Sequence, residues 1–233
     1  MNSAPSIVIF DVNETLSDMA PMAERFVEAG APAEMAKLWF ATLLRDGFAL
    51  TAAGGNGSFA EIGAEALRGL LADAGTGMDR DRAVEHVMAG LAGLGLHPDV
   101  ADGVHDLQAA GYRLVTLSNG ATRVAEELLT TAGIRDRFER LLSVEDAPGW
   151  KPAAAAYLHA ASACAGEPGQ MLLVAVHPWD IHGAAAAGLR TAWINRSGVP
   201  YPGYFSAPDY TVASLRELPG TLAGPRTPGA GLR

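Results

Sequence analysis

The sequence holds a single cysteine, Cys164, with no Cys or His at metal-ligand spacing from it. An internal disulfide is therefore excluded, and a buried, inert thiol is the simplest reading. Basic residues are scarce: 17 Lys and Arg stand against 26 Asp and Glu, a formal net charge of -9. Binding a nucleic-acid backbone needs clustered cations, so nucleic acid is excluded as the main partner, although one small anion can still find a local positive pocket. Long apolar runs are missing too. None approaches the roughly 18 residues of a membrane span, and the N-terminus has no basic stretch leading into an apolar one. A cytoplasmic protein with no membrane partner is expected. Disorder is excluded by composition, since 49% of residues are hydrophobic and only 18% charged. At 233 residues the chain can bury one core, or a core and a smaller accessory domain.

What is present starts with Ile7-Val8-Ile9-Phe10-Asp11. Four apolar residues without polar alternation predict a short strand buried on both faces, as in a parallel sheet covered by helices. Asp11 would then stand at the carboxyl edge, where open α/β sheets place their ligands. Helical spacing follows over Met19–Ala29, Ala33–Leu44, Phe59–Ala74 and Arg80–Leu94, broken at Gly30-Ala31-Pro32, Ala53–Gly57 and Gly75–Gly77, with Ser58 and Asp79 as N-caps. From His97 onward strands alternate with helices. Strands are predicted at Arg113–Leu117, Leu141–Val144, Met171–Val176 and Thr191–Ile194, with an edge strand at Tyr210–Val212. Helices are predicted at Asp99–Ala110, Thr122–Thr131, from Lys151-Pro152 to Ala165, and after His177-Pro178 to Ala187, with a loose tail from Gly220. The fold class is α/β: a doubly wound, Rossmann-like parallel sheet with an inserted helical cap. Residues 1–16 and 97–233 form the core domain and 17–96 the cap.

Each sheet strand runs into polar residues: Asp11, then Ser118-Asn119, Lys151 after a loop, and Asp180. Parallel strands bring these to one edge. A carboxylate, a hydroxyl, a lysine and a second carboxylate form a coherent displacement site, and lysine between two like charges keeps the nucleophile ionised. Singly, each has an ordinary explanation: a turn and cap at Ser118-Asn119-Gly120, a solvated Lys151, and a helix N-cap at Asp180. Together, in this order, they favour catalysis.

The order Asp11-x-Asn13-x-Thr15-Leu16, Leu117-Ser118-Asn119-Gly120, Lys151-Pro152, Trp179-Asp180 resembles the haloacid dehalogenase-like hydrolase superfamily over essentially the whole chain, and within it the L-2-haloacid dehalogenases (type II). Most of the superfamily are Mg-dependent phosphatases with Asp two residues after the nucleophile and further acids in the last motif. Here those places hold Asn13 and Val176. Halide leaves without being protonated, so these losses suit carbon–halogen cleavage better than phosphoryl transfer. The resemblance thus implies hydrolysis of short 2-haloalkanoic acids to 2-hydroxy acids through an aspartyl ester, with no metal or other cofactor. The alternatives are a phosphatase of the same fold with a degraded metal site, or a non-catalytic binding module.

Carried onto this chain, the resemblance makes Asp11 the nucleophile and Thr15 its orienting hydrogen-bond donor. Lys151 orients both carboxylates and Asp180 activates water on the ester. Ser118, with backbone amides near Val12 and Asn119, holds the substrate carboxylate. Arg45 of the cap, together with Asn119, receives the halide, while Phe59 and Trp179 form apolar walls. For Arg45 a salt bridge to Asp46 is the competing reading. Attack inverts C2 once, turning an L-2-halo acid into a D-2-hydroxy acid. The type II enzymes carry Ser and Asn where this chain has Ala175 and His177. His177 brings a bulkier ring able to donate a hydrogen bond, which would narrow the pocket and favour small leaving groups, fluoride in particular, on substrates such as fluoroacetate or chloroacetate. No role is assigned to His182. The partner implied is a small anionic halogenated carboxylic acid, and family likeness also implies a homodimer, which the apolar cap helices permit.

Overall fold

A computed structural model describes residues 5–72 and 77–224. Six parallel strands form one sheet: β1 (Ile7–Phe10), β2 (Arg113–Ser118), β3 (Arg140–Ser143), β4 (Met171–Ala175), β5 (Arg190–Ile194) and β6 (Tyr210–Val212), in the order β3-β2-β1-β4-β5-β6. The unbroken apolar run of β1 is explained by burial on both faces. Ile7 and Ile9 belong to one core cluster, Val8 and Phe10 to the other, as the two-residue period of a strand requires. Strand order reverses beside β1, which pairs with β2 on one side and β4 on the other. Ligands of doubly wound sheets bind at such a switch point, outside the carboxyl ends of the strands. Asp11 is the first residue past β1.

Between β1 and the segment that returns at Leu96, the described residues form four helices: α1 (Met22–Glu28), α2 (Met35–Ala52), α3 (Phe59–Leu70) and α4 (Arg80–Ala92). The chain leaves and returns along two paired segments. Asp18 N–H donates to the Gly95 carbonyl at 2.8 Å and His97 N–H to the Leu16 carbonyl at 2.9 Å, with Ser17 and Leu96 in antiparallel register. Ser58 and Asp79 accept from backbone N–H groups of the first turns of α3 and α4, satisfying donors that a helix start leaves open. The buried face of α2 is Trp39, Phe40, Leu43 and Gly47. Trp150 lies so close to Gly47 that a side chain there would collide with its ring. Helix α2 also meets the segments that follow β4, Phe40 against His177 and Phe48 against Trp179.

The later elements are α5 (Val100–Ala109), α6 (Thr122–Thr131), α7 (Ala154–Ala163), α8 (Pro178–Ala186) and α9 (Leu218–Ala223). Several boundaries differ from expectation. Helix α2 runs on to Ala52 rather than ending near Leu44, since nothing before Gly54 breaks it. Lys151-Pro152 does not open α7, which starts at Ala154. Proline disfavours helical backbone in the residue before it, and Asn119 holds the Lys151 backbone at both N–H and carbonyl. The first-turn proline is instead Pro178 of α8. Finally, α9 occupies the beginning of the expected loose tail; residues 225–233, like the expected break at Gly75-Thr76, lie outside the described residues.

Candidate active site

The sheet edge brings Asp11, Lys151 and Asp180 together from three connections. Lys151 Nζ donates to Asp11 Oδ1 at 2.8 Å and to Asp180 Oδ2 at 2.7 Å. All three are buried, Lys151 and Asp180 completely. Thr15 Oγ1 donates to Asp11 Oδ2 at 2.6 Å and accepts from Val176 N–H at 3.1 Å, so β4 fixes the hydroxyl that orients the carboxylate. Thr15 stands four residues past Asp11 and is folded back by a turn, in which Leu16 N–H donates to the Val12 carbonyl at 2.9 Å.

The two carboxylates are driven apart in acidity. Burial works to raise the Asp11 carboxyl, but the charges of Lys151 and His177 and the bonds from Lys151 and Thr15 outweigh it and hold the group below the ordinary aspartate value. At Asp180 burial, added to the negative charge of Asp11, outweighs Lys151 and Tyr157, and the carboxyl is raised. Lys151 is likewise raised: burial would lower it, but the two carboxylates prevail. An ionised carboxylate next to a more basic one is an arrangement suited to attack followed by general-base catalysis.

Tyr157 belongs to this array and was not singled out from the sequence. Its hydroxyl donates to Asp180 Oδ1 at 2.6 Å, and burial together with the Asp180 charge pushes the phenol well above its ordinary value. In the sequence it reads as one more core residue of an alanine-rich helix. Its isolation as the lone polar-tipped aromatic among alanines was the available signal.

The remaining candidates divide into those inside and one outside. Ser118 Oγ accepts from Gly120 N–H at 2.9 Å, and with Val12, Asn13 and Phe59 it lines a cavity of about 60 Å³. Asn119 spends its amide on Lys151, accepting from its N–H at 3.0 Å and donating to its carbonyl at 3.3 Å; it positions the lysine. Phe59 stacks on Trp150 with centroids 5.7 Å apart. Trp179 stacks on His177 at 5.0 Å and meets Phe48 of α2 edge-on. His177 Nε2 stands 3.2 Å from the Asn13 carbonyl, 3.7 Å from Asp11 Oδ2 and 3.6 Å from Glu14 Oε2. Arg45 is not in the site. Its side chain is 71% exposed, donates to Asp46 at 2.8 Å and faces an outer groove between α2 and α3. It lies two residues from the buried Leu43, hence roughly 200° around the helix; the competing reading of a pair with Asp46 is the one the structure bears out. Ala175, within β4, is completely buried, and His182 pairs with Ser206 at the surface.

A magnesium ion, which the superfamily implies, does not suit these residues. One oxygen of Asp11 and one of Asp180 are bonded to the Lys151 ammonium and the others to Thr15 and Tyr157, and Asn13 and Val176 supply no further carboxylate. Magnesium bound by protein needs oxygen ligands in octahedral array, and a cation already stands between the two acids.

Fold and site together define a hydrolase of the Rossmann-like α/β class with a buried carboxylate–lysine–carboxylate array at the sheet edge. The chain belongs to the haloacid dehalogenase-like hydrolase family, whose profile matches residues 5–188. It is 32% identical over 224 residues to an (S)-2-haloacid dehalogenase of Pseudomonas sp. (strain YL), covering 93% of this chain and 95% of that one. Haloacetate dehalogenase H-2 of Moraxella sp. (strain B) is 36% identical over 115 residues, about half of each chain (49% and 51%). The L-2-haloacid dehalogenase of Xanthobacter autotrophicus, solved with chloropropionic acid covalently bound, superposes with a TM-score of 0.84 over 94% of this chain and 99% of that one, at 25% identity.

Proposed function

We propose that this protein hydrolyses short 2-haloalkanoic acids to 2-hydroxy acids through an ester on Asp11. The observation that carries this is the Asp11–Lys151–Asp180 array, with the lysine ammonium bonded to both acids. Asp11 attacks C2 and forms a C–O bond as the carbon–halogen bond breaks and halide leaves with the bonding pair; no proton is needed. Asp180, the more basic carboxylate, then takes a proton from water as the water attacks the Asp11 carbonyl carbon. The acyl–oxygen bond breaks as the leaving alkoxide oxygen takes back the proton held by Asp180, the hydroxy acid departs with inverted C2, and an L-2-halo acid yields a D-2-hydroxy acid. Ser118, with backbone amides near Val12 and Asn119, holds the substrate carboxylate, while Phe59 and Trp179 wall the pocket. The cavity of about 60 Å³ beside Ser118 supports a preference for substrates as short as chloroacetate or fluoroacetate. The names of the Pseudomonas and Moraxella relatives support the same substrate class.

The test is a single turnover of chloroacetate in oxygen-18 water. The label is expected in the peptide containing Asp11; label in the product hydroxyl alone would overturn the ester mechanism.

Three wider features complete the proposal. Residues 17–96 act as a cap on a core formed by 1–16 and 97–233, supported by the paired segments at Leu16–Asp18 and Gly95–His97. Two copies associate through the outer α2–α3 groove, supported by the half-exposed Leu38 and Leu50 beside it; light scattering of the eluting protein checks this. The protein works in the cytoplasm, without nucleic-acid or membrane partners. The net charge of -9 supports this, as does the lack, among the described residues, of a helix long and apolar enough to cross a membrane.

A further inference from the structure

Departing halide needs a donor, and the one expected from the cap, Arg45, lies on the outer surface. The other groups near Asp11 are engaged. Lys151 is shared between two carboxylates, Asn119 is spent on the Lys151 backbone, and the Thr15 hydroxyl donates to Asp11 itself. Among the described residues, the basic side chains that come within 4 Å of the Asp11 carboxylate are Lys151 and His177.

Resting on the function proposed above, we infer that His177 receives the halide as it leaves carbon. Its Nε2 faces three oxygens, those of Asn13, Asp11 and Glu14, at 3.2, 3.7 and 3.6 Å. All three are acceptors, so Nε2 carries the proton. The contact to the Asn13 carbonyl is long and the other two exceed hydrogen-bond length, which leaves the N–H available to an acceptor that comes closer. The ring itself is held rigidly. It stacks on Trp179 with planes 20° apart and faces Phe40 at 6.3 Å. A donor held in place by aromatic neighbours before reaction acts most strongly on charge that appears only as the bond breaks.

The same side chain borders the space the ion would enter. His177 lines a pocket of about 450 Å³ with Phe40, Leu44 and Ala36 of α2. It also lines a second pocket, of about 380 Å³, that opens toward Trp193 and Asn195. Glu14 belongs to both linings, and its side chain is 42% exposed. Its backbone adopts the left-handed conformation, φ 61°, and its carbonyl is bonded to His97 at 3.0 Å. The half-exposed Glu14 carboxylate stands 3.6 Å from Nε2, at the solvent side of the ring. In the alkylation step the Asp11–carbon bond forms, the carbon–halogen bond breaks, and halide carries its electron pair to the His177 N–H without proton transfer.

The experiment measures single-turnover halide release from fluoro-, chloro- and bromoacetate by wild type, His177→Leu, His177→Gln and Arg45→Ala. His177→Leu is expected to slow release of fluoride and chloride by about 10²-fold or more, the effect of losing one preorganised donor. The loss should be smaller for bromide, which depends less on hydrogen bonding. His177→Gln, which retains an N–H donor, should recover part of the rate, and Arg45→Ala should follow wild type. An equal loss on all three substrates, no loss, or a larger loss in Arg45→Ala would overturn the inference. Should the His177 variants fail to fold, chloride titration of wild type followed at the His177 ring nitrogens decides the matter: a saturable shift is expected, and none at inhibitory chloride overturns it. Wild type releasing no halide at all would instead sink the proposed function.

Discussion

The carboxyl edge of the sheet and the helical layer above it obey different rules. At the edge, position is dictated by topology: every parallel strand ends on the same side, so Asp11, Ser118 and Asp180 meet although far apart in sequence. In the layer, position is dictated by rotation about a helix axis. Phe40 points to the site, with His177 at 6.3 Å, while Arg45, five residues on, points out. A residue type chemically right for a role is therefore good grounds at a strand end and poor grounds on a helix until its face is known.

The sharpest way to break this comparison is at the edge. Asp11→Asn is expected to lower turnover by at least ~10⁴-fold with the fold retained, checked by halide release and circular dichroism; a variant of near-normal activity would end the assignment. Lys151→Met should be almost as damaging and should also cost stability. Removing one partner of a buried ion pair leaves uncompensated charge, typically about 3–5 kcal/mol, which urea denaturation reads directly. A midpoint unchanged from wild type would mean that the lysine does not hold the two acids in place.

Tyr157→Phe tests the acidity difference. Asp180 is raised above the ordinary aspartate value and loses its function as a base when protonated, so ester hydrolysis should fall on the acid side at a pH above that value. Asp11, held low, adds no limb there. The Tyr157 hydroxyl favours the ionised form of Asp180, so its loss should move the acid limb to still higher pH and slow turnover by about 10-fold. A limb that stays put, or moves to lower pH, contradicts the assignment of Asp180 as base. The same shifts govern stability. The lowered Asp11 contributes stability present above its unfolded value and lost as pH falls through its native one. The smallest effect belongs to the helical layer: Arg45→Ala should leave kcat/KM within about twofold, since an exposed pair with a neighbour contributes little.

Much of the site was legible because its residues are strand ends. The run Ile7–Phe10 announces a strand buried on both faces, and Ser58 and Asp79 announce helix starts through chemistry local to each. Tyr157 was not legible, because its meaning comes from Asp180, 23 residues later and in contact only after α7 and α8 pack together. Lys151-Pro152 was read as a helix start because proline permits one there, whereas the Asn119 amide bonds the backbone at that point.

From the order of its residues alone the chain determined a parallel sheet, the strand that ends in Asp11, and the loss of the acids that phosphate chemistry uses, because these follow from short-range periodicity and side-chain identity. Tertiary structure decided which face of α2 looks inward, that Tyr157 shares Asp180 with Lys151, and that an imidazole rather than a guanidinium stands beside Asp11. Those outcomes depend on how separate elements rotate and settle against one another, and that is set by packing across the whole core.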